Sequence, residues 1–323
     1  MNMLVKTRKA SSSTGGRRPE ERSIDELFKN GVVVIDKPSG PTSHQVTSWV
    51  GDIFGASKSA HGGTLDPRVT GVLPVGLGTA VRAMDALHYG TKAYVGVMKM
   101  HGNIDRKRLE DVFKEFTDEI LQTPPVKSAV RREIRSRRIH SFVLKEMSGR
   151  DVLFDVECDA GTYIRSLCVD VGDAVAIGAH LQDLRRTRAG ALTENQAVTL
   201  HDLKDAVEDH KTGKSEPLRK MLHPKEVLLA QIPKIEVKDS AVDAICHGAN
   251  LAVPGIIAID DSIRKGGEVA VMTVSGEAVG MGTALMDAQE MIKKQEGFAV
   301  DVSRVLMLPG TYARVWGSSK ETS

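Results

Sequence analysis

The stretch His61-Gly-Gly-Thr-Leu-Asp66-Pro-Arg-Val-Thr-Gly71-Val-Leu-Pro-Val75 decides how the rest of this 323-residue chain is read. Glycines at 62 and 63 open backbone angles closed to other residues, and Pro67 drives Asp66 away from helical φ/ψ toward an extended conformation. Gly71 closes the loop, and Val72-Leu-Pro-Val75 reads as a short buried strand. The Asp66 carboxylate is therefore expected to project from the rim of a sheet, not from a mobile tip. A rigid rim suits a nucleophile. Taken by itself an Asp-Pro pair most often caps a turn, so the assignment depends on what surrounds it.

Two further segments belong with it. Thr91-Lys-Ala-Tyr-Val-Gly-Val97 alternates as a strand with one buried face, and Tyr94 falls on that face. Asp151-Val-Leu-Phe-Asp-Val-Glu-Cys158 alternates likewise, and Gly161-Thr-Tyr-Ile-Arg-Ser-Leu167 leads from it into a helix. By residue type alone Tyr94 fits a core position and Arg165 an exposed helix surface. Gly63-Thr-Leu-Asp-Pro67 followed by Thr70-Gly-Val-Leu-Pro74 resembles the catalytic motif of the TruB family of pseudouridine synthases. Lys92-Ala-Tyr94 and Gly161–Leu167 resemble its second and third motifs. The likeness is closest to the archaeal and eukaryotic branch related to dyskerin, and it runs from about Gly31 to about Trp316. Ala60 and Gly62 depart from it, standing where the family commonly has glycine and serine.

The resemblance implies that Asp66 attacks the target uridine, that Tyr94 stacks on the base and handles a proton, and that Arg165 pairs with Asp66 in a buried contact. It also implies that Lys37 and Pro38 lie beside the site and that Leu184 packs in the pocket. Without that pattern Lys37 reads as a surface lysine at a strand end. The ten histidines include no H-E-x-x-H and no paired i, i+4 ligands, so His61 is expected as a pocket residue, not a metal ligand.

Upstream, Gly31-Val-Val-Val-Ile35 is a buried strand candidate, and Asp36-Lys-Pro-Ser-Gly-Pro41 is dense turn chemistry. Thr42 or Ser43 caps a helix whose Val46, Trp49, Val50, Ile53 and Phe54 are expected on one buried face. Asp105 caps a second helix with Leu109, Val112, Phe113 and Phe116 inward. Downstream of Gln122-Thr-Pro-Pro125, Arg131, Arg132, Arg135, Arg137 and Arg138 crowd one segment with only Glu133 opposing them. Arginine presents a planar fork that matches phosphate, so this is the strongest basic patch in the chain, with a solvated charged face as the competing reading. Leu181-Gln-Asp-Leu-Arg-Arg-Thr-Arg188 adds Arg185, Arg186 and Arg188 to the expected RNA track.

A net charge of +2, 41% hydrophobic and 27% charged residues describe an ordinary globular chain, so any case for nucleic acid rests on where the arginines cluster. Cys158, Cys168 and Cys246 form no C-x-x-C pair, which argues against a disulfide framework and a structural zinc site and fits a reducing compartment. Thr212-Gly-Lys-Ser215 has Glu208 where a phosphate loop needs its first glycine, and Gly76-Leu-Gly78 has Val81 where a dinucleotide fingerprint needs its third. Neither cofactor nor metal is implied.

Pro224 and Ile232-Pro233 mark a composition break, followed by short β-rich runs punctuated by glycines. Ser240–Gly255 resembles the start of a PUA domain, an RNA-binding module that accompanies this branch. The expected architecture is α+β: a tail at 1–30 partly packing on the PUA domain, a mixed-sheet catalytic domain at 31–225, a small barrel-like PUA domain at 226–316, and a tail at 317–323. The resemblance implies isomerisation of uridine in transfer RNA, at its T-loop, or in ribosomal RNA under an H/ACA guide RNA. It further implies small accessory proteins as partners. The short segment after Trp316 lacks the lysine-rich extension of eukaryotic members, and no signal-peptide core or membrane-length apolar run is present, so an archaeal cytoplasm is expected. Two rivals are a silent RNA scaffold, which intact Asp66, Tyr94 and Arg165 argue against, and a hydrolase with Asp66 as general base, which lacks a second positioned carboxylate or metal.

Overall fold

The structure, a computed structural model, describes residues 2–7, 16–123 and 133–314. Arg131, Arg132 and the segment 317–323 lie outside the described residues. The chain divides into two units: Val33–Val75 with Leu87–Met221, and Met1–Val32 with Gly76–Ala86 and Leu222–Ser323.

In the first unit a mixed sheet runs in the spatial order Val32–Lys37, Thr70–Leu77, Ala179–Ala189, Lys92–Met100, Asp151–Cys158, Arg135–Ser148 and Asp118–Gln122. Thr70–Leu77 meets Ala179–Ala189 in parallel, and Lys92–Met100 is antiparallel to both of its neighbours. The long strand Arg135–Ser148, to which the sequence pattern assigned only a basic patch, pairs with Asp151–Cys158 and Asp118–Gln122. In Lys92–Met100 the inward positions are Lys92, Gly96, Met98 and Met100, an alternation that follows from the two-residue strand period. Its central place sets Tyr94 opposite Val156 on one side and Arg186 on the other, with a bulge between Ala93 and Tyr94. Behind this sheet Phe113 stacks on Phe142 at 3.7 Å between centroids, and Phe154 meets Phe142 edge-on at 5.5 Å. Truncating one of these rings costs about 3–5 kcal/mol by the usual core rule.

Helix Ser43–Phe54 begins with a capping box in which Thr42 and Gln45 satisfy each other's backbone N–H groups. Its buried stripe is Ser43, Val46, Thr47, Val50, Gly51 and Phe54. Trp49, expected on that stripe, is 44% exposed. The centre of the stripe runs through Thr47 and Phe54, and at 3.6 residues per turn this leaves Trp49 on the far side. Asp105 caps Arg106–Glu115 by accepting from the N–H groups of Lys107 and Arg108.

In the second unit the strand order is Met3–Val5, Ile256–Asp260, Lys234–Val237, Glu268–Thr273, Ala278–Ala284, Phe298–Val305 and Leu251–Ala252. Its core gathers Ile235, Val237, Ile245, Ile259, Val271 and Val300. Met3–Val5 adds an antiparallel edge with Leu4 opposite Ile259, and the Lys6 ammonium donates to the carbonyls of Met291 and Ile292 at 2.9 and 3.0 Å. Residues 76–86 group here although the sequence pattern put them within 31–225. The reason is local: Leu77 N–H donates to Gly31 O, and Thr79 N–H to the Asn30 side chain, each at 2.9 Å.

Candidate active site

Asp66 lies on an irregular link between the strands Ser59–His61 and Thr70–Leu77. Gly63 and Gly71 take φ of +79° and +98°, the left-handed region that favours glycine. Gly62 does not use that freedom; it is buried, with its N–H donating to Pro74 O at 3.1 Å. At Gly71 a side chain is excluded twice over, since a Cβ would also stand 2.2 Å from the carbonyl oxygen of Arg186.

Three buried side chains from three elements take up the backbone of this link. Ser43 Oγ accepts from Leu65 N–H at 2.8 Å and donates to Leu65 O at 2.9 Å. Lys37, read on its own as a surface lysine, is fully buried, and its ammonium donates to Pro38 O, Pro67 O and Val69 O at 2.9–3.0 Å. Burial pushes that ammonium below the usual lysine range. Arg186 donates from Nε to Val72 O at 2.7 Å and from Nη2 to Gly63 O at 3.0 Å. The expected rigid rim thus has a physical basis: backbone groups on both sides of Asp66 are held from beneath. Pro38 itself is exposed, and its carbonyl is one of the acceptors of Lys37.

Arg165 and Asp66 form an ion pair. Arg165 stands in the first turn of helix Ile164–Ala174, whose N-cap, Tyr163, is gripped by the buried amide of Gln122. Gln122 Nε2 donates to Tyr163 O at 3.1 Å, and Tyr163 N–H donates to Gln122 Oε1 at 2.9 Å. The pair was expected to be buried. Its side chains are instead 53% and 56% exposed, because one springs from a loop and the other from a helix start. An exposed pair contributes only about 0–1 kcal/mol to stability, so its consequence is the direction in which the carboxylate points.

Leu184 is buried in the cluster that holds Leu65, Ile164 and Leu167, and Tyr94 packs against that cluster. Burial raises the Tyr94 phenol above its ordinary value, and the neighbouring Arg186 cation opposes the rise. His61 touches the same region. The single Thr47 hydroxyl proton goes to Ser43 O at 2.8 Å, which leaves that oxygen to accept from His61 Nδ1 at 2.9 Å. His61 Nε2 then accepts from the Thr64 hydroxyl at 3.2 Å. Burial, with His44 and Arg186 nearby, lowers His61 to about 4, so the ring is neutral at physiological pH.

Lys92, beneath Tyr94, donates to Leu87 O at 2.7 Å and Gly90 O at 3.0 Å, and burial with repulsion from Arg186 lowers it to about 7. Between about pH 7 and 10.5 the unfolded chain binds more protons at this site than the folded one, so stability rises with pH across that window. Below pH 7 the ammonium is charged in both states and the full cost of burying it is present. Chemical unfolding of wild type and Lys92→Met at pH 7 and 8.5 should show the wild type gaining about 1 kcal/mol per pH unit relative to the variant. Parallel stability curves for the two proteins would refute the assignment.

The second expected arginine cluster is not an open phosphate surface. Arg186 is 1% exposed. Arg185 forms a two-pronged pair with Asp36 at 2.9 and 3.0 Å and bonds Glu194, while Arg188 pairs with Glu157 and donates to Thr91 Oγ1 at 2.9 Å. Their strand faces carboxylates brought up by neighbouring elements, which the local sequence does not display. The first cluster is more open: Arg138 pairs with Asp118 in an exposed hairpin, and Arg137 lies over Gly161. Ser43, Gln122 and Lys92 were given no site role in the sequence reading. Only Lys92 left a signal there, its inward place in the strand alternation. Among the described residues no group of three or more His, Cys, Asp or Glu side chains is placed to hold a metal ion, and no helix is long and apolar enough to cross a membrane.

Comparison with known proteins agrees with this layout. Residues 52–164 match the TruB family pseudouridylate synthase N-terminal domain, 165–230 the tRNA pseudouridylate synthase B C-terminal domain, 233–306 the PUA domain and 1–47 the DKCLD domain. A probable tRNA pseudouridine synthase B of Methanopyrus kandleri is 51% identical over 98% of this chain and 94% of its own length. That of Methanocaldococcus jannaschii is 48% identical over 98% and 95%. Among solved structures, a Cbf5-Nop10-Gar1 complex aligns with a TM-score of 0.93 at 44% identity, covering 97% of this chain and 96% of the other. An H/ACA RNP bound to a substrate RNA containing 2′-deoxyuridine aligns at 0.89 and 43% identity, covering 98% and 97%. With a loop-borne aspartate, its arginine partner and near-complete alignment to archaeal synthases, this chain belongs to the TruB family of pseudouridine synthases and carries the PUA domain.

Proposed function

We propose that Asp66 is the nucleophile of this synthase, that Arg165 aims it, and that Tyr94 and Leu184 wall the pocket in which the uracil turns. The observation that carries this is the half-exposed Asp66–Arg165 pair on a link whose backbone is tied down on both sides. In the isomerisation the bond from N1 to the ribose breaks and one from C5 to the same ribose carbon forms. The C5 proton leaves and N1 gains one, with no net redox change. Such a reaction needs an anchored nucleophile and walls that keep the detached base from escaping. It also needs the nucleotide out of its stack, which a carboxylate at an open rim can reach and a buried one cannot.

The substrates of this reading are uridines in transfer RNA and, under guide RNA, in ribosomal RNA. Arg131, Arg132, Arg135, Arg137 and Arg138 serve as phosphate contacts. The Arg138–Asp118 pair is exposed and weak enough to give way to a phosphate. Residues 31–225 form the catalytic region and 226–316 the PUA region, with part of 1–30 folded onto the latter. The family matches on either side of residue 230 and the pairing of Met3–Val5 with Ile256–Asp260 support that division. Solved relatives contain Nop10, Gar1 and substrate RNA, which supports small accessory proteins and a guide RNA as partners here, in the cytoplasm of an archaeal cell. The test is a single-turnover rate on transfer RNA alone and on a guided substrate with the accessory proteins. The expected result is slow modification by the isolated chain and a gain of about 10²-fold or more with partners, which prepay the cost of positioning. Full-speed modification of transfer RNA with no gain from partners would leave a stand-alone transfer RNA enzyme.

A further inference from the structure

Among the described residues Arg186 heads the fully buried side chains by volume, at 1% exposure. Among the described residues no carboxylate forms an ion pair with it, and burial lowers its pKa while the neighbouring Tyr94 opposes the shift. A buried guanidinium without a counter-ion is expensive, and the expense calls for a compensating role. Its contacts supply one. The side chain reaches Gly63 O, three residues before Asp66, and Val72 O, six residues after it, at 3.0 and 2.7 Å, so it spans the link that carries the nucleophile. The Tyr94 hydroxyl lies close enough to the same guanidinium for each group to shift the other's pKa. The backbone repeats the connection, since Arg186 is paired in parallel with Gly71 and antiparallel with Tyr94.

We infer that Arg186 is a positioning residue for the isomerisation, a single planar fork that fixes the Asp66 loop and the Tyr94 ring relative to each other. The planar, multi-donor geometry of arginine is what the task requires, because one rigid group must reach carbonyls on both sides of Asp66 while lying beside Tyr94. A lysine ammonium at the same place keeps the charge and loses the span. The charge itself acts on the neighbourhood: it is a cause of the lowered values of Lys92 and His61, and it helps keep the His61 ring neutral at physiological pH.

The inference rests on Asp66 and Tyr94 acting as proposed above, and the experiment separates the two. Arg186→Lys and Arg186→Gln are compared with wild type and Asp66→Asn, each as the full chain with its guide RNA and accessory proteins. Folding is followed by thermal melting, RNA affinity by titration, and chemistry by the single-turnover rate. The expected result for Arg186→Lys is a rate lowered about 10²-fold, the size of effect that an ångström of misplacement produces. RNA affinity should stay within about twofold, the signature of an interaction that matters in the transition state and not in binding. A wild-type rate in Arg186→Lys would overturn the inference. So would an equal fall in affinity and rate, or the failure of both variants to fold, either of which marks a purely structural arginine. Activity in Asp66→Asn would instead remove the nucleophile assignment, whereas an inactive Asp66→Asn beside a fast Arg186→Lys discards the positioning role alone.

Discussion

Asp66→Asn leaves no detectable pseudouridine, a loss of at least about 10⁴-fold in single-turnover rate, while RNA binding and the melting temperature stay close to wild type. The asparagine amide matches the carboxylate in size and still reaches Arg165, but it carries no charge and is not a nucleophile. The fold has little to lose, because the Asp66–Arg165 pair is half exposed and such pairs add at most about 1 kcal/mol. Separation of activity from stability is therefore the diagnostic feature. Turnover above about a few per cent of wild type would end the case for Asp66 as nucleophile. A collapse in stability would mean that the carboxylate is structural.

Lys37→Met strikes both quantities together. The methionine keeps an apolar stem in the buried slot and removes the ammonium from three carbonyls. Pro67 O retains the N–H of Gly40 at 2.9 Å, so Pro38 O and Val69 O bear the loss. The Val69 carbonyl is buried and the Pro38 carbonyl only partly so, and depriving both of a donor costs about 2–5 kcal/mol, offset in part because burying the ammonium was itself unfavourable. The expected net destabilisation is about 2–4 kcal/mol by denaturant titration. The link carrying Asp66 loses its underside anchor as well, and activity should fall about 10²-fold at temperatures where the variant is folded. Normal activity in a folded Lys37→Met would show that Ser43 and Arg186 suffice to hold the loop.

Local sequence determined a good deal about this protein. Alternation located the strands holding Tyr94 and Cys158, capping chemistry located the starts at Thr42 and Asp105, and the glycine and proline spacing around Asp66 marked a constrained loop. These features are legible because a strand period, a capping box and a left-handed glycine are each set within a few residues. The proposed site was legible through resemblance: Asp66, Tyr94 and Arg165 stand in three short motifs similar to those of the TruB family, each identifiable without knowing where the others fold.

Tertiary structure decided which charged residues are interior and which are open. Lys37 and Arg186 look like surface cations in their own segments, yet both are buried, because distant backbone carbonyls converge on them when the strands assemble. Arg185 and Arg188 look like a phosphate track, yet Asp36, Glu194 and Glu157 arrive from other elements to pair with them. Trp49 fell outside a stripe that its spacing allowed, since which sector of a helix is covered depends on what packs there. Burial and pairing are properties of partners remote in sequence, and a hydrophobic period carries no record of them. The motifs thus pointed to the residues proposed for the chemistry, and only the assembled structure set the half-exposed pair, the neutral His61 and the buried cation that surround them.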